Sequence, residues 1–419
     1  MEAKVRAAFT MAVCVTACGE PSPRAGPEAV GSDSTDPETV RIALFNIREL
    51  DTDKILEIDQ EGHGRHPQAA AAGKIIRRLA PDILVLNEID HDYDSANIGL
   101  DLNARRFRDA YLAGGEDGLE LPYSFAAPNN TGLLSELDLD GDGHVATDED
   151  RGDRRHGNDS WGFGTYPGQY SMAILSRFPV QKAGARAFQE LRWQDLPGHH
   201  MPPDHFAPAV AAALRLSSKS HWDVPIEIGD HVLHLFASHP TPQGFDGPED
   251  KNGRRNFDEI KLWVEYLDGG GTLVDDQERP GGYDSEDPFV IVGDLNAAPL
   301  APDAPNDGPF RTSVYDGVAA IDQLLAHPRI QDSGPLTTSS AGLVHNAETP
   351  RMPGPPRFPE RSTSVFGPGS RIDYILPSVN LEMVSGGVFW PTPEEDSDGA
   401  AWADQASDHR LVWLDVTLD

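Results

Sequence analysis

Cysteine is almost absent from this chain, since Cys14 and Cys18 are the only two among 419 residues. Both lie near the start, so no disulfide can form in the rest of the sequence. Long hydrophobic runs are missing too, and residues 7–17 are too few to span a bilayer as a permanent helix. Stability must therefore come from a buried core, for which the length is ample, and from any bound ions.

Positive charge is also scarce. The chain has 34 Lys and Arg against 68 Asp and Glu, a formal net charge of −34. Such a surface opposes nonspecific binding to nucleic acid or anionic lipid, whose phosphates attract clustered Lys and Arg side chains. A phosphate-bearing substrate therefore has to be bound by a local site or by a metal ion. The balance argues against nucleic acid as the substrate, and we expect a monomer.

The first residues have the features of an export signal. Lys4 and Arg6 precede the short apolar run, which ends in Val15-Thr-Ala-Cys18 and resembles the bacterial lipobox. We predict a signal peptide over residues 1–18, a lipid on Cys18 and a flexible tether over residues 19–39. The protein would be exported and held by its lipid anchor alone, in the periplasm or at the cell surface. The alternative is an ordinary signal peptide with a chance cysteine.

One stretch joins a buried strand to polar side chains. Residues 289–292 form a short β-rich apolar run that stops at Gly293, as expected for a strand buried on both faces. Asp294 and Asn296 then share one side of the extended chain, because side chains alternate with period two. A carboxylate and an amide at a sheet rim suit water activation. The alternative is a turn, where both residue types are common for local reasons.

The same pattern recurs along the chain, and six occurrences are not a coincidence. Strand ends carry chemistry when a sheet gathers them at one edge. We therefore predict that these residues converge. The polar residues at the ends of, or within, apolar runs are Asn46, Glu88, His239, Asp294 with Asn296, Asp373, and Asp408 with His409.

Other segments have clearer secondary structure than chemistry. Helix-forming composition over residues 67–79, stopped by Pro81, predicts a helix, and apolar spacing predicts another over residues 254–267. Alternation predicts a strand over residues 213–216, and residues 318–326 are predicted to be helical.

Three motifs resemble the endonuclease/exonuclease/phosphatase superfamily, whose fold is that of pancreatic deoxyribonuclease. They are Gly293-Asp-Leu-Asn296, Arg371-Ile-Asp-Tyr-Ile375 and Ser407-Asp-His409. The resemblance covers residues 40–419, with insertions near 95–165, 191–223 and 335–369. It implies a single α/β domain built as a four-layer sandwich, in which two mixed β-sheets pack face to face and are flanked by helices.

By this resemblance, Glu88 would be the principal ligand of a catalytic Mg²⁺ or Mn²⁺, with Asn46 and Asp408 beside it. Magnesium prefers few carboxylates together with phosphate oxygens and water, which agrees with this set. This sequence departs from the family at two positions. Asn87 precedes Glu88 where Gln is usual, and Pro240 follows His239 where Leu is usual.

The resemblance also implies catalytic roles. Asp294 would orient or deprotonate the attacking water, and Asn296 would hold the phosphoryl oxygens. His409 would pair with Asp373, which fixes its tautomer and stabilises its charged form. His239 would contact the phosphate. Which residue is the general base stays open.

An insertion near residues 128–165 contains Asp138-Leu-Asp-Gly-Asp-Gly-His-Val-Ala-Thr-Asp-Glu149, which fits the EF-hand loop signature. We predict that it binds Ca²⁺ as a solitary stabilising loop, because no apolar exit helix follows. The alternative is a solvated acidic loop. The predicted ligands are Asp138, Asp140, Asp142, His144 and Glu149.

Three functions are compatible with these observations. The first is divalent-metal-dependent hydrolysis of a phosphate ester, favoured as a small-molecule or lipid-derived phosphodiester. The second is an extracellular nuclease that cleaves DNA or RNA. The third is a noncatalytic, calcium-stabilised surface protein that uses the same fold.

Overall fold

The computed structural model describes residues 38–418, apart from residue 246 and the segments 301–311, 349–357 and 367–369. The predicted signal peptide, and the predicted tether up to residue 37, lie outside the described residues. Among the residues that are described, no helix is both long and apolar enough to cross a membrane.

Two large sheets organise the described chain. One has the strand order β12-β13-β1-β2-β4-β3 and the other β11-β8-β7-β6-β5, while β9 and β10 form a separate pair. In chain order the strands are β1 (Glu38–Leu50), β2 (Ile83–Ile89), β3 (Tyr123–Phe125), β4 (Met172–Ser176), β5 (Arg186–Ala187), β6 (His221–Ile228), β7 (His231–Ser238), β8 (Phe289–Asp294), β9 (Val314–Tyr315), β10 (Val318–Ala319), β11 (Asp373–Pro377), β12 (Glu382–Val388) and β13 (Val412–Leu418).

Helices cover the outer faces of both sheets. In chain order they are α1 (Thr52–Leu56), α2 (Pro67–Leu79), α3 (Leu102–Phe107), α4 (Arg154–Asn158), α5 (Pro208–Ala213), α6 (Lys251–Leu267), α7 (Asp322–Leu325), α8 (Ser340–Glu348) and α9 (Ser397–Ala406). A π-helical turn covers Arg108–Leu112, and 3₁₀ turns cover Tyr93–Ile98, Asp148–Asp150, Trp193–Asp195 and Pro359–Arg361.

Alternation along the strands explains the layers. In β1, Ile42 and Leu44 join the core between the sheets, whereas Ala43 and Phe45 join the core that contains the apolar face of α2. In β8, alternate residues likewise divide between the inter-sheet core and a core built on α6. Both faces of each central strand are thus buried, which accounts for their continuous apolar runs. The predicted four-layer sandwich of two mixed sheets is confirmed.

Chain direction brings the polar strand ends to one edge. Strands β1 and β2 are parallel, as are β7 and β8, so each pair ends at the same edge. Strand β11 runs antiparallel to β8, with Asp373 opposite Asp294. Strand β13 runs antiparallel to β1, pairing Leu418 with Glu38 and Val412 with Leu44. The residues that precede β11 and β13 therefore reach that same edge.

Two local predictions are wrong. Residues 213–216 are not a strand, because Pro208 begins α5 and an alanine-rich run continues it through Ala213. The predicted helix over residues 318–326 begins instead with β10, since Asp316 and Gly317 adopt positive φ of 53° and 79° and form a two-residue hairpin turn. Helix α7 then covers only Asp322–Leu325.

Candidate active site

Asp294, at the end of β8, is the centre of a buried polar cluster. Its Oδ2 accepts a hydrogen bond from Asn46 Nδ2 at 3.0 Å and lies 3.4 Å from His239 Nε2. The Nε2 of His409 lies 3.7 Å from the same oxygen. Its Oδ1 accepts the backbone N–H of Asn296 at 3.0 Å. Three residues predicted from separate parts of the sequence, together with the neighbouring Asn296, thus surround one carboxylate.

Two neighbours fix the backbone of Asp294. Its own N–H donates to Asn87 Oδ1 at 2.8 Å, a bond that joins β8 in one sheet to β2 in the other. At the preceding residue, Gly293, an added Cβ would lie 1.9 Å from the Ser238 carbonyl oxygen, so only glycine fits beside β7. The close approach of these strands therefore sets the position of the carboxylate.

Glu88 and Asn46 form the second part of the site. Glu88 Oε1 accepts from Asn46 Nδ2 at 3.1 Å, and its Oε2 accepts from the Glu49 N–H at 2.9 Å. Glu88 has φ of 59°, a left-handed conformation that is unfavourable for glutamate and frequent at functional sites. Because its amide nitrogen serves the two carboxylates, Asn46 presents Oδ1, which is buried and has no hydrogen-bond partner in the described chain.

Asp408 adjoins this pair. The neighbouring Ser407 hydroxyl donates to the Asn46 carbonyl at 2.8 Å, and the Asp408 carboxylate lies 3.5 Å from Arg48 Nε. Among the predicted metal ligands, Asn46 and Glu88 are therefore in direct contact, and Asp408 joins them through its backbone neighbour. The sequence did not single out Arg48.

His409 and Asp373 form the third part. His409 Nδ1 lies 3.1 Å and 3.0 Å from the two carboxylate oxygens of Asp373, whose Oδ2 also accepts from Thr363 Oγ1 at 2.6 Å. The ring of Phe366 packs edge-on against the imidazole with ring centres 5.3 Å apart. This arrangement directs Nε2 of His409 toward Asp294.

Burial and opposite charges shift the ionisation of this group. Burial raises the pKa of Asp373 to about 6. Burial alone would lower the pKa of His409, but the carboxylates of Asp373 and Asp294 raise it to about 10. Burial opposes ionisation of Asp294 as well, yet the imidazoles of His409 and His239 bring its pKa below the usual value. At neutral pH the site therefore holds a cationic imidazole beside an ionised carboxylate.

One side of the site can hold a cation, because Glu88 and the free Oδ1 of Asn46 offer oxygen ligands there. On the other side, Asp294, Asp373 and His409 each place a polar atom within 4.8 Å of the others. The cationic imidazole of His409 already balances the carboxylates in that second group. Carboxylate and amide oxygens are the ligands that Mg²⁺ and Mn²⁺ accept. The residues present therefore fit a divalent metal.

The predicted phosphate-binding residues flank this centre. Asn296 has φ of 51°, and its Nδ2 donates to the Pro240 carbonyl at 3.1 Å, which leaves the second amide proton for a ligand. His239 is buried, and its Nδ1 has no hydrogen-bond partner in the described chain. Burial first, and then the nearby Lys219 charge, lower the pKa of His239. Tyr170 lies beside the site, with its hydroxyl 3.1 Å from Glu49 Oε1.

An open cleft adjoins the site on the side of Asp408. Its volume is about 560 Å³. Its walls include Arg48, whose side chain is 61% exposed, and the aliphatic Val365. The cleft is large enough for the remainder of a small ester bound at the cluster.

A second acidic cluster lies in the predicted calcium loop. Asp138 and Asp140 each place a carboxylate oxygen within 4.8 Å of one from Asp159. Asp159 was missed by the sequence analysis because it follows the twelve-residue signature. It is buried, and its two oxygens accept the N–H groups of Leu139 and Ala146, each at 2.8 Å, which ties the loop together.

The other predicted loop ligands make local contacts. Asp142 Oδ1 accepts the His144 N–H at 2.7 Å, and His144 Nε2 lies 3.2 Å from Asp150 Oδ2. Glu149 lies in the 3₁₀ turn Asp148–Asp150, where its N–H bonds to Thr147. The three-carboxylate group found in the described chain includes none of Asp142, His144 and Glu149.

Comparison with known proteins identifies the family of this chain. The profile of the Endonuclease/Exonuclease/phosphatase family matches residues 43–409. A search of curated proteins finds no match.

Solved structures that are similar to this chain include an endonuclease/exonuclease/phosphatase from Beutenbergia cavernae. It is 18% identical and covers 91% of this chain and 72% of that chain, with a TM-score of 0.45. The human Nocturnin catalytic domain is 14% identical over 91% of this chain and 95% of that chain, with a TM-score of 0.43. Because the family profile matches most of its length, this chain belongs to the endonuclease/exonuclease/phosphatase family, whose members are hydrolases acting on phosphate esters.

Proposed function

We propose that this protein is a divalent-metal-dependent phosphodiesterase that hydrolyses a small-molecule or lipid-derived diester. The observation that carries this proposal is the environment of Asp294. One buried carboxylate contacts Asn46 and His239 and lies near the cationic His409, which is the arrangement needed to accept a proton beside a phosphoryl group.

A metal ion would be held by Glu88 and by the unpartnered Oδ1 of Asn46, with Asp408 close by. When bound, it supplies positive charge that polarises phosphorus and stabilises the charge developing on the phosphoryl oxygens. The contact of Asn46 Nδ2 with both Glu88 and Asp294 holds the metal side of the site and the water side at a fixed separation.

The protein residues then divide the reaction among them. Asp294 takes a proton from water as the water oxygen bonds to phosphorus. The bond from phosphorus to the leaving oxygen breaks, and that oxygen keeps the electron pair and takes a proton from solvent. His409, kept cationic by Asp373, stabilises the added negative charge. His239 and Asn296 contact the phosphoryl oxygens.

The choice of substrate rests on charge and space. With a net charge of −34, the protein repels a long polyanion, whereas a compact diester carries one negative charge. The cleft of about 560 Å³ beside Asp408 accommodates a small leaving group or the headgroup side of a lipid.

Two further properties belong to this proposal. The protein is exported and held at a membrane through a lipid on Cys18, as its first residues predict. The loop that carries Asp138, Asp140 and Asp159 binds Ca²⁺, supported by the EF-hand signature and by the three converging carboxylates.

A substrate panel tests the function. The protein is incubated with Mg²⁺ and bis-(p-nitrophenyl) phosphate, p-nitrophenyl phosphate, phospholipid vesicles or plasmid DNA, each with and without a chelator. We expect chelator-sensitive turnover of the small diester or the phospholipid, and its loss in Asp294→Asn. Rapid nicking of plasmid with poor turnover of small diesters would identify a nuclease instead. Equal hydrolysis by wild type and Asp294→Asn would indicate a contaminating enzyme and favour a noncatalytic protein.

A further inference from the structure

Lys219 is a buried lysine next to the candidate active site. We infer that its ammonium group binds a nonbridging oxygen of the phosphoryl group under attack, and so acts as a catalytic residue. This inference rests on the proposed function, because it assigns a charge partner to the phosphate that the function requires. No sequence pattern predicted a role for Lys219.

The hairpin of β6 and β7 brings Lys219 to the site. Its register pairs His221 with Ser238, so Lys219, two residues before His221, and His239, one residue after Ser238, lie at the same end of the hairpin. Next to His239, the Pro240 carbonyl accepts from Asn296. Lys219 therefore belongs to the strand end that carries the predicted phosphate-binding residues.

A buried glutamate on α6 ties this end of the hairpin together. Glu259 Oε1 accepts the Ser218 N–H and Oε2 accepts the Thr241 N–H, both at 2.6 Å. The backbone beside Lys219 and the backbone beyond His239 are thus fixed to the same carboxylate. This clamp limits how far the lysine can move from the site.

Both sheets contribute acids that act on the ammonium group. Burial lowers the pKa of Lys219, the carboxylates of Glu259, of Glu88 in β2 and of Asp294 in β8 oppose this, and the Lys219 charge in turn lowers the pKa of His239. Glu88 and Asp294 come from different sheets and are joined through Asn46. The ammonium group of Lys219 is therefore within electrostatic range of both acids.

No described residue forms a hydrogen bond or an ion pair with the ammonium group of Lys219. Lys219 is only 6% exposed, yet in the described chain its Nζ makes no hydrogen bond and no ion pair within 4.0 Å. Both oxygens of Glu259 are already occupied by backbone N–H groups. A buried lysine without a partner destabilises a fold and is rarely kept for stability. An incoming phosphoryl oxygen would supply the missing partner.

Replacing Lys219 tests this assignment in the full-length protein. We compare wild type, Lys219→Met and Lys219→Gln, with Lys182→Met as a control, because Lys182 is 59% exposed and pairs with Asp101 away from the site. Turnover is measured with bis-(p-nitrophenyl) phosphate and Mg²⁺. Binding of inorganic phosphate with Mg²⁺ is measured by calorimetry, and the melting temperature is recorded for each variant.

In Lys219→Met we expect kcat/KM to fall ~100-fold, mostly in kcat, as when one preorganised donor to a developing oxyanion is removed. Phosphate affinity should fall ~10-fold, because a charge-assisted contact is lost. The melting temperature should stay the same or rise, because an unpaired buried charge is removed. Lys219→Gln should show the same losses, and Lys182→Met neither.

The outcomes separate this inference from the proposed function. Unchanged phosphate affinity and turnover in both Lys219 variants would overturn the inference, as would a wild type that binds no phosphate. A strong fall in melting temperature with unchanged phosphate affinity would show a structural role instead. If wild type hydrolyses none of the esters but binds phosphate through Lys219, the proposed function fails while the assignment of Lys219 stands.

Discussion

The two acidic clusters of this protein are built in opposite ways. Asp294 and Asp373 come from different strands, are buried, and face the cationic imidazole of His409. Asp138 and Asp140 lie two residues apart on a surface loop, and their oxygens mainly accept hydrogen bonds from local backbone N–H groups. The first cluster depends on the whole fold, and the second on a short segment.

Under the proposed function, this difference assigns catalysis to the buried cluster and stabilisation of the fold to the loop cluster. The buried cluster is preorganised by both sheets, so it can stabilise charge that develops during a reaction without having to rearrange. The loop cluster has no cationic side chain in its group of three carboxylates. A bound divalent cation would relieve their mutual repulsion and so stabilise the folded loop.

The largest expected effect comes from comparing an aspartate-to-asparagine substitution in each of the two clusters. Asp294→Asn should lower kcat/KM by ~1,000-fold or more, because an amide cannot take the proton from water. Asp140→Asn should leave kcat/KM within about twofold, because it lies outside the buried cluster. Steady-state kinetics with the small diester measures both. A similar loss in the two variants would show that the loop also serves catalysis.

A smaller loss of kcat/KM should follow from removing a hydrogen bond that supports the buried cluster. Thr363→Val removes the hydroxyl that donates to Asp373 at 2.6 Å but keeps the shape of the side chain. We expect kcat/KM to fall ~10-fold, as when an outer hydrogen bond to a functional residue is lost. Thr338→Val, at a half-buried threonine, is the control. An unaffected rate would mean that His409 alone positions Asp373.

The loop cluster should affect stability instead. Removing Ca²⁺ with a chelator should lower the melting temperature by roughly 5 °C, because an ion that binds only the folded state stabilises it by mass action. Asp140→Ala and Asp159→Asn should each remove most of the response to Ca²⁺. Calorimetric melting with and without Ca²⁺ measures this, with Asp276→Asn as an acidic control outside the loop. Identical melting curves in both conditions would refute a calcium site.

The smallest expected effect concerns the ion pair of His200 and Asp258, which lies outside both acidic clusters. His200 Nδ1 lies 2.7 Å from Asp258, which raises the pKa of His200. A raised histidine pKa stabilises the fold fully below the unfolded value of about 6.5, and this stabilisation is lost as pH rises through the folded value.

His200→Gln should therefore lower the free energy of unfolding by more at about pH 5.5 than at about pH 9. Urea unfolding of both proteins at the two pH values measures the difference, and His205→Gln is the neighbouring control. A larger loss at the higher pH would contradict the assignment.

Hydrophobic pattern predicted the centre of the candidate site because each predicted residue lies within or next to an apolar strand. The run before Asp294 in one sheet and the run before Glu88 in the other each end where parallel strands have their carboxyl ends, and the two ends meet through Asn46. The same patterns predicted α2 without error in its bounds, since Pro67 favours a start and Pro81 prevents extension.

The residues that were missed act through contacts that no local pattern encodes. Asn87 joins the two sheets, Thr363 supports Asp373 from a loop, and Lys219 precedes its strand among serines. Asp159 contacts the predicted calcium loop but follows its twelve-residue signature in the sequence. The available signal for Lys219 was its position two residues before a strand that pairs with the one leading to His239.

The pairing of β1 with β13 has a consequence for biosynthesis. Glu38 lies opposite Leu418, so an early and a late part of the chain become neighbours in the same sheet. While the ribosome is still adding β13, β1 lacks one neighbour, and residues 408–410 are paired only with residues 363–365. Under the proposed function, hydrolysis is expected only after β13 has joined the sheet, and truncation within β13 should abolish it even though every acidic residue of the pocket is still present.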